Sequence, residues 1–434
     1  MIQPQYRIDN AASDWAGPRR FTRLTYFKLL TRYPIFLLFF GPPIFRSNQG
    51  IDATKGSLDL WSFFQVALLA AVAFRAVLRL AANQAIIIPK QTQSILRLAI
   101  FLGVLFLASA AYSPSHLVSA AYAILYLMTM ICVLEFVVDI YRNPPDWMQC
   151  LLILRLSSLF LFGLVLLTLL VSPTSVMNVI PGVGIRLSGG AVAPVTVICP
   201  LMAIISAFAF LYSLESKALS VFLFLAGLAG TLVTQSRGSE LALFFSLAIV
   251  VFVWAKTSKR STYLFIAGLI SAILLSAVLA GTVGGERIWN KFNRGEDAAS
   301  IASASGRTEI WSFVFDYCGK HPQGMGYVAG FRVLFRQHFS LGSGIIVEKI
   351  GAAHNAFVDV LAGAGWLALA IYLIMLAKVV AFGWRFAKRR AIATPASDLI
   401  SRQAIQCAMI LLLFCFAEGM DDSEFSLPLR SAFY

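Results

Sequence analysis

The stretch 148–171, MQCLLILRLSSLFLFGLVLLTLLV, is almost entirely apolar and is long enough to cross a lipid bilayer as a helix. A transmembrane helix needs about 20 such residues to cover about 30 Å of hydrocarbon. Comparable apolar runs recur along the whole chain. The sequence therefore predicts a bundle of membrane spans rather than a soluble domain with one anchor.

The composition agrees with this prediction. Of the 434 residues, 59% are hydrophobic and 13% are charged, and the mean hydropathy is +0.78. Soluble globular domains carry about twice that share of charged residues. The predicted fold class is an all-α, polytopic integral membrane helix bundle of about 11–12 transmembrane helices, with short helices in one large extracytoplasmic loop. The predicted spans are 34–46, 58–82, 95–113, 116–140, 148–171, 190–213, 218–235, 238–255, 262–283, 355–381 and 403–420.

The basic residues predict the orientation of the bundle. Two loops, 256–260 and 385–390, are dense in Lys and Arg, and such loops face the cytoplasm. Counting spans from them also places Lys90, Arg142 and Lys217 in the cytoplasm. The predicted organisation is a basic cytoplasmic N-terminus (1–33), membrane helices (34–283), a large extracytoplasmic loop (284–353), further membrane helices (354–420) and a tail (421–434) that comes out extracytoplasmic. The N-terminus shows no small-residue cleavage site behind its apolar stretch, so no signal peptide is expected.

Charge and cysteine usage exclude several classes of protein. The formal net charge of +14 is typical of a membrane protein whose cytoplasmic loops are rich in Lys and Arg. The sequence contains no basic surface domain that could bind nucleic acid. The cysteines show neither paired nor metal-ligand spacing, which argues against a disulfide framework. The histidines likewise lack the spacing of zinc ligands, and no metal or cofactor is expected. The six cysteines are Cys132, Cys150, Cys199, Cys318, Cys407 and Cys415.

Three arginines, Arg186, Arg237 and Arg307, fall on the predicted outer face, where the positive-inside rule disfavours them. Arg186 stands in RLSGG, before a span that contains two prolines. Arg237 stands in TQSRGSE, between two apolar runs with almost no loop, and Glu240 is placed to pair with it. An alternative for each arginine is an interfacial residue that snorkels to the membrane surface.

The stretch 305–311, SGRTEIW, opens a predicted amphipathic helix that ends near Gly319. Arg307 would lie in its first turn, where the unpaired backbone N–H groups and the guanidinium together form a binding site for a phosphate group. The alternative is an ordinary capped loop helix.

His354 and Asn355 precede the span that follows the loop, with Asn355 as the predicted N-cap. The positive potential at a helix N-terminus disfavours imidazolium, so His354 is expected to stay neutral and to suit a general base. The alternative is a histidine in an interfacial loop. Asp359, one turn inside the helix, is a structural or supporting residue. Glu135, Asp139 and Glu215 are expected to be solvated or paired at inner span ends.

Several short motifs follow one another around the large loop. Together they resemble the O-antigen ligase and Wzy-type polysaccharide polymerase superfamily, including ExoQ-like exopolysaccharide polymerases. Their order and spacing carry the resemblance, which covers about half of the chain. The motifs are TQSRG at 234–238, SGRTEIW at 305–311, PQGMGY at 322–327, and HNAF at 354–357 followed by Gly363, Gly365 and Trp366.

The resemblance implies a GT-C-like, metal-independent, inverting glycosyltransferase without a cofactor, in the bacterial inner membrane with its active site facing the periplasm. The donor would be an undecaprenyl-diphosphate-linked glycan. Arg186, Arg237 and Arg307 would bind the donor diphosphate, and His354 would deprotonate the acceptor hydroxyl. Glu240, Asn355 and Glu309 would support these residues. Other polysaccharide-export proteins are candidate partners.

Polymerase and ligase remain open as alternatives, because they share the donor and differ in the acceptor, another lipid-linked repeat or lipid A-core. The overall pattern, including the compact outer loop, resembles the exopolysaccharide members of the superfamily, and this resemblance favours a polymerase. A transporter or flippase would instead place ionisable residues near mid-span and repeat broken helices in two halves. A purely structural membrane subunit would leave the outer arginines and His354 unexplained.

Overall fold

The computed structural model describes residues 32–36, 60–82, 88, 90–142, 146–180, 184–187, 195–211, 216–234, 236–255, 307–339, 353 and 355–388. The predicted spans 262–283 and 403–420, most of 34–46, both terminal segments and much of the predicted outer loop lie outside these residues. Within the described ranges the chain is almost wholly helical. After a 3-10 turn at Pro34–Phe36, the helices are α1 (Leu60–Ala82), α2 (Lys90–Ser109), α3 (His116–Arg142), α4 (Asp146–Val171), α5 (Pro173–Val176), α6 (Val195–Leu211), α7 (Lys217–Thr234), α8 (Arg237–Ala255), α9 (Arg307–Lys320), α10 (Ala329–Phe339) and α11 (Ala356–Lys388).

Five segments of these helices are long and apolar enough to cross a membrane. Together with the scarcity of strands among the described residues, they confirm the predicted fold class of a polytopic helix bundle. The shorter helix α6 and most of α8 are also apolar. The five segments are Lys90–Ser109, His116–Ile140, Cys150–Val171, Lys217–Thr234 and Ala356–Phe382.

Two helices extend beyond the predicted apolar segments. Helix α2 begins at Lys90 and α11 continues to Lys388, whereas the hydropathy pattern predicts 95–113 and 355–381. The first turn of α2, KQTQ, is polar but carries good helix formers. Hydropathy marks the part of a helix that lies in lipid, while backbone hydrogen bonding decides where the helix starts.

A small β-hairpin lies in the predicted outer segment 172–189, where the sequence analysis expects only a loop. Strand β1 (Met177–Ile180) pairs antiparallel with β2 (Gly184–Leu187), with Asn178 opposite Arg186. Each strand has four residues, which is too short for a clear alternating pattern. Leu187 is buried against the outer parts of α4 and α6, so the hairpin is held on the bundle.

Helix α6 forms the centre of one half of the bundle and is buried along most of its length. It packs against α4, α7 and α8. Small residues permit the close approach of α7. A Cβ atom added at Gly227 would lie 2.7 Å from the Cys199 carbonyl oxygen. Helices in membranes associate through such close packing.

An ion-pair network joins α1 to α3. The Arg79 guanidinium lies 2.8 Å from a Glu135 oxygen and 2.7 Å from an Asp139 oxygen. Both carboxylates are buried, with 5% and 4% of their surface exposed. The structure thus shows the paired state for these two residues, while Glu215 lies outside the described residues. Buried carboxylates without such partners would be costly.

Helix α11 contains a break at Ala364 and Gly365, where the backbone leaves helical geometry and Gly365 takes a φ of 77°. Residues 322–327, here called the clamp segment, lie against this break and bond to its open backbone groups. Hydrogen bonds run from Met325 N–H to the Ala362 carbonyl (2.7 Å), from Gly326 N–H to the Gly363 carbonyl (3.1 Å) and from Trp366 N–H to the Pro322 carbonyl (3.1 Å).

The clamp segment is also fixed to the end of α2 and to the turn that follows it. The Tyr327 N–H donates to Ser109 Oγ at 2.9 Å, and the Tyr112 hydroxyl donates to the Gln323 carbonyl. Burial raises the pKa of Tyr112 to about 12, so this hydroxyl stays protonated and remains a donor. The Tyr327 ring stacks on Phe106, with 3.8 Å between ring centroids. Three separate parts of the chain therefore meet at the clamp segment.

Gly365→Ala is expected to destabilise the protein by about 2 kcal/mol, because an added Cβ meets unfavourable backbone geometry and lies 2.0 Å from the Pro322 carbonyl oxygen. The thermal unfolding midpoint of the purified protein measures this loss. Gly319→Ala in α9 is the matched control, because no atom lies within 4 Å of its added Cβ. It should be neutral or slightly stabilising. Equal midpoints for the two variants would contradict the role assigned to the break.

Candidate active site

The loop helices α9 and α10 form one core with the start of α11. Ile310, Val314 and Cys318 on one face of α9 pack together with Phe335 of α10 and Leu361 of α11. The clamp segment contributes Met325 to the same core. Residues 307–339 are therefore folded back onto the helix that follows them, which positions the N-terminus of α9 beside the N-terminus of α11.

Hydrogen bonds fix the two chain neighbours of His354. The Trp311 indole N–H donates to the Ala353 carbonyl at 2.9 Å, and the Ala353 N–H donates to Asp359 Oδ1 at 2.9 Å. On the other side, Asn355 Oδ1 accepts from Phe357 N–H and from Val358 N–H, at 3.0 and 3.2 Å. Asn355 is thus the N-cap that the sequence predicts. His354 itself lies outside the described residues.

Asp359 has a structural role that the sequence analysis left open. Its carboxylate lies one turn inside α11 and reaches back to the backbone of Ala353. A carboxylate in the first turn of a helix also lies in the favourable potential of the helix N-terminus. Asp359 and Trp311 therefore hold both backbone groups of the residue before His354.

Arg307 is the first residue of α9 and is half-buried. It lies four residues before Trp311, and residues at that spacing share a helix face. Since Trp311 contacts Ala353, Arg307 lies about one helical turn, roughly 6 Å along the axis, from the residue that makes that contact. The structure thus brings Arg307 and the residues that flank His354 into one region.

Glu309 faces a different side of α9. It lines a groove of about 670 Å³ that the sequence analysis did not predict. The ring of His321 lies 4.5 Å from that of Tyr317, and the ring of His338 lies 4.8 Å from that of Phe313, measured between centroids. The groove combines carboxylates, hydroxyls and aromatic rings. Its lining residues are Thr308, Glu309, Ser312, Phe313, Asp316, Tyr317, Lys320, His321 and His338.

Cys318 is a reactive residue type close to this region, but it is buried and inert. Its Sγ lies 3.6 Å from the Leu361 carbonyl. Burial raises the pKa of the Cys318 thiol to about 11, so the thiolate is scarce near neutral pH. Cys318 therefore belongs to the core rather than to the chemistry.

Arg186 and Arg237 lie in a second region, at the hairpin and the end of α7. Arg186 belongs to β2, and β2 packs against α7. Helix α7 ends at Thr234 and α8 begins at Arg237, so the tight turn that the sequence predicts is present. Both arginine side chains lie outside the described part of the structure. Their convergence on one ligand stays a prediction.

The turn before α8 is held by hydroxyl groups that the sequence analysis did not single out. Ser236 N–H donates to Thr234 Oγ1 at 3.2 Å, and Ser239 Oγ donates to Ser236 Oγ at 2.9 Å. The Ser236 carbonyl accepts from the Glu240 N–H at 2.9 Å. Glu240 lies in the first turn of α8, and its predicted pairing with Arg237 stays a prediction.

The bundle of apolar spans and the folded loop helices define a multi-pass membrane protein. Residues 221–373 match the family model described as O-antigen ligase. This segment includes the positions of Arg237, Arg307 and His354 together with the whole clamp segment, whereas Arg186 precedes it. The matched segment, about a third of the chain, is thus similar to the O-antigen ligase family, and the resemblance inferred from the motifs is confirmed. A comparison with curated proteins gives no match.

This match supports a membrane enzyme of the O-antigen ligase and Wzy polymerase type, a glycosyltransferase-like ligase or polymerase. The family acts on lipid-linked glycans. The membrane-length helices and the loop helices packed over one of them are consistent with an enzyme that meets a lipid-anchored substrate at the membrane surface.

Trp311→Phe should keep most of the packing and remove the N–H donor to Ala353. Loss of one such hydrogen bond costs about 1 kcal/mol, and a displaced neighbour of His354 should lower the amount of glycan product by about tenfold. Thermal unfolding and the glycan made in cells measure the two effects. Phe315→Leu is the control, because that ring is on the same helix and is exposed. Normal glycan from Trp311→Phe would show that this hydrogen bond does not position the site.

Proposed function

We propose that the protein is a polysaccharide polymerase of the inner membrane, which joins undecaprenyl-diphosphate-linked glycan repeats on the periplasmic face. The observation that carries the proposal is the link from Trp311 through Ala353 to Asp359. This link joins the helix that begins with Arg307 to the residue before His354 and to the first turn of α11. A phosphate-binding group and a general base are thereby expected at one site.

His354 is the proposed general base. The residue precedes a helix N-terminus that Asn355 caps, and the positive potential there favours a neutral imidazole that can accept a proton. The hydrogen bonds to Ala353 and Asn355 limit the movement of the backbone on both sides. Such positioning of a base contributes to catalysis because the reacting atoms meet in the required geometry.

Arg186, Arg237 and Arg307 are the proposed ligands of the donor diphosphate. Negative charge grows on the leaving diphosphate in the transition state, and fixed guanidinium groups can stabilise it without a metal. The clamp segment places the first turns of α11 beside Ser109 at the end of α2. If α3, α4, α6 and α7 each cross the bilayer once, the hairpin and the turn before α8 lie on that same side of the membrane. This alternation supports the convergence of the arginines with His354.

The proposed reaction is an inverting displacement. The acceptor hydroxyl oxygen attacks the anomeric carbon of the donor, and its proton passes to a ring nitrogen of His354. The bond between the anomeric carbon and the diphosphate oxygen breaks, and its electron pair leaves with the lipid diphosphate. Glu240 is proposed to orient Arg237, whereas Glu309 faces the groove on another side of α9 than Arg307.

The main test is complementation of a gene deletion with His354→Ala, Arg186→Ala or Arg237→Ala at matched membrane levels. Each should lower the polymer by about a hundredfold, as expected for loss of a general base or an oxyanion-stabilising group, with single lipid-linked repeats accumulating on a glycan gel. Lys217→Ala is the control, because Lys217 is an exposed cation at the start of α7.

The same gel distinguishes the remaining functions. Loss of glycan from lipid A-core, with long lipid-linked chains persisting, would identify a ligase instead of a polymerase. Normal glycan from all three variants would reject the proposed site and favour transport or scaffolding.

The groove on α9 is proposed to hold the acceptor glycan. It is of the size of small-molecule sites, and its mixture of rings and polar groups suits a ligand that must be oriented. Asp316→Asn should raise the acceptor KM severalfold and leave kcat nearly unchanged, since it removes binding that the ground state and the transition state share. A fall in kcat at an unchanged KM would contradict this assignment.

A further inference from the structure

A groove runs along the first turns of α2, at the end of the helix opposite to Ser109. Six of the residues that the structure describes line it, and its volume is about 530 Å³. The lining residues are separated by three or four positions, so they form one face of the helix. The groove is polar and cationic where α2 begins and apolar further along. The lining residues are Lys90, Gln93, Ser94, Arg97, Leu98 and Phe101.

Arg97 is exposed although it lies inside a membrane-length segment. It follows Lys90 by two helical turns, which is roughly 10 Å along the axis. An exposed arginine at that depth must extend its side chain towards the interface or meet an anion. Beyond it, Phe101 and Val104 are each 47% exposed, so the same surface of α2 continues as apolar side chains.

A second cavity, of about 140 Å³, lies between α2 and α11 at the same end of the bundle. Lys378 and Arg385 line it from α11, again two turns apart, and Gln91 and Ile95 line it from α2. Among the residues that the structure describes, no carboxylate lines either cavity. Four cations thus surround this part of the surface where an apolar face begins.

We propose that this surface binds an anionic phospholipid. The phosphate lies between Lys90 and Arg97, where the N-terminus of α2 adds positive potential. The acyl chain follows Leu98 and Phe101, and Lys378 and Arg385 border the headgroup from α11. A zwitterionic lipid is disfavoured because the positively charged group of its headgroup would be repelled by these lysines and arginines. Basic pockets between membrane helices recognise anionic headgroups by the same chemistry.

The site is separate from the candidate active site. Helix α2 runs from Lys90 to Ser109, about 28 Å along its axis, and Ser109 contacts the clamp segment at the other end. The proposal therefore depends on the membrane bundle and not on the glycosyltransferase activity.

The test is native mass spectrometry of the purified full-length protein after titration with phosphatidylglycerol or with phosphatidylethanolamine. The wild type should bind phosphatidylglycerol more tightly. Lys90→Gln combined with Arg97→Gln should weaken that binding by about thirtyfold, since each cation near a membrane surface contributes about fivefold. Lys217→Gln, at the start of another membrane-length helix, is the matched control and should bind like the wild type.

Three outcomes would overturn the proposal. They are wild-type affinity in the double variant, equal affinity for the two lipids, and an equal loss of affinity in Lys217→Gln. If the double variant does not fold, as judged by gel filtration and thermal unfolding, Lys378→Gln combined with Arg385→Gln takes its place. That pair should weaken phosphatidylglycerol binding in the same direction, and unchanged binding would reject the site.

Discussion

The break in α11 requires partners for its backbone groups, and much of the described loop structure follows from that requirement. A helix interrupted near a membrane leaves carbonyl and N–H groups that lipid cannot satisfy. The clamp segment supplies these partners at Ala362, Gly363 and Trp366. Since Tyr327 is at the same time bonded to Ser109 and stacked on Phe106, the segment cannot leave the break without losing both sets of contacts.

The clamp segment joins α9 to α10, so its attachment also fixes these two helices above the start of α11. Their shared apolar core then places Trp311 within hydrogen-bonding distance of Ala353. The position of Arg307 relative to the residues beside His354 is thus a consequence of packing some distance away. A site on a loop gains its geometry from the rigid elements that hold the loop.

The sequence predicts those features that depend on local patterns. Apolar periodicity locates the spans, and a polar residue before an apolar run identifies Asn355 as a cap. The motifs around Gly326 and Gly363 indicate the family, but they do not show that the backbones of these two glycines are hydrogen-bonded. That contact joins segments about forty residues apart through backbone groups, which no local pattern encodes. The four-residue strands at Arg186 escaped prediction because they are too short for a measurable period.

Buried charged residues inside the bundle are a second feature that an averaged hydropathy profile does not reveal. Arg155 is 2% exposed within α4, yet the surrounding leucines and phenylalanines dominate the average over that span. The charge of Arg79 is neutralised by two buried carboxylates, whereas the Arg97 side chain is exposed on the surface of the bundle. Arginines in the helices of the bundle therefore divide into those that the protein itself neutralises and those that the lipid must accommodate. The cost of an uncompensated charge in hydrocarbon makes this division necessary. It follows that the bilayer contributes to the electrostatics of this protein, as the side chains do.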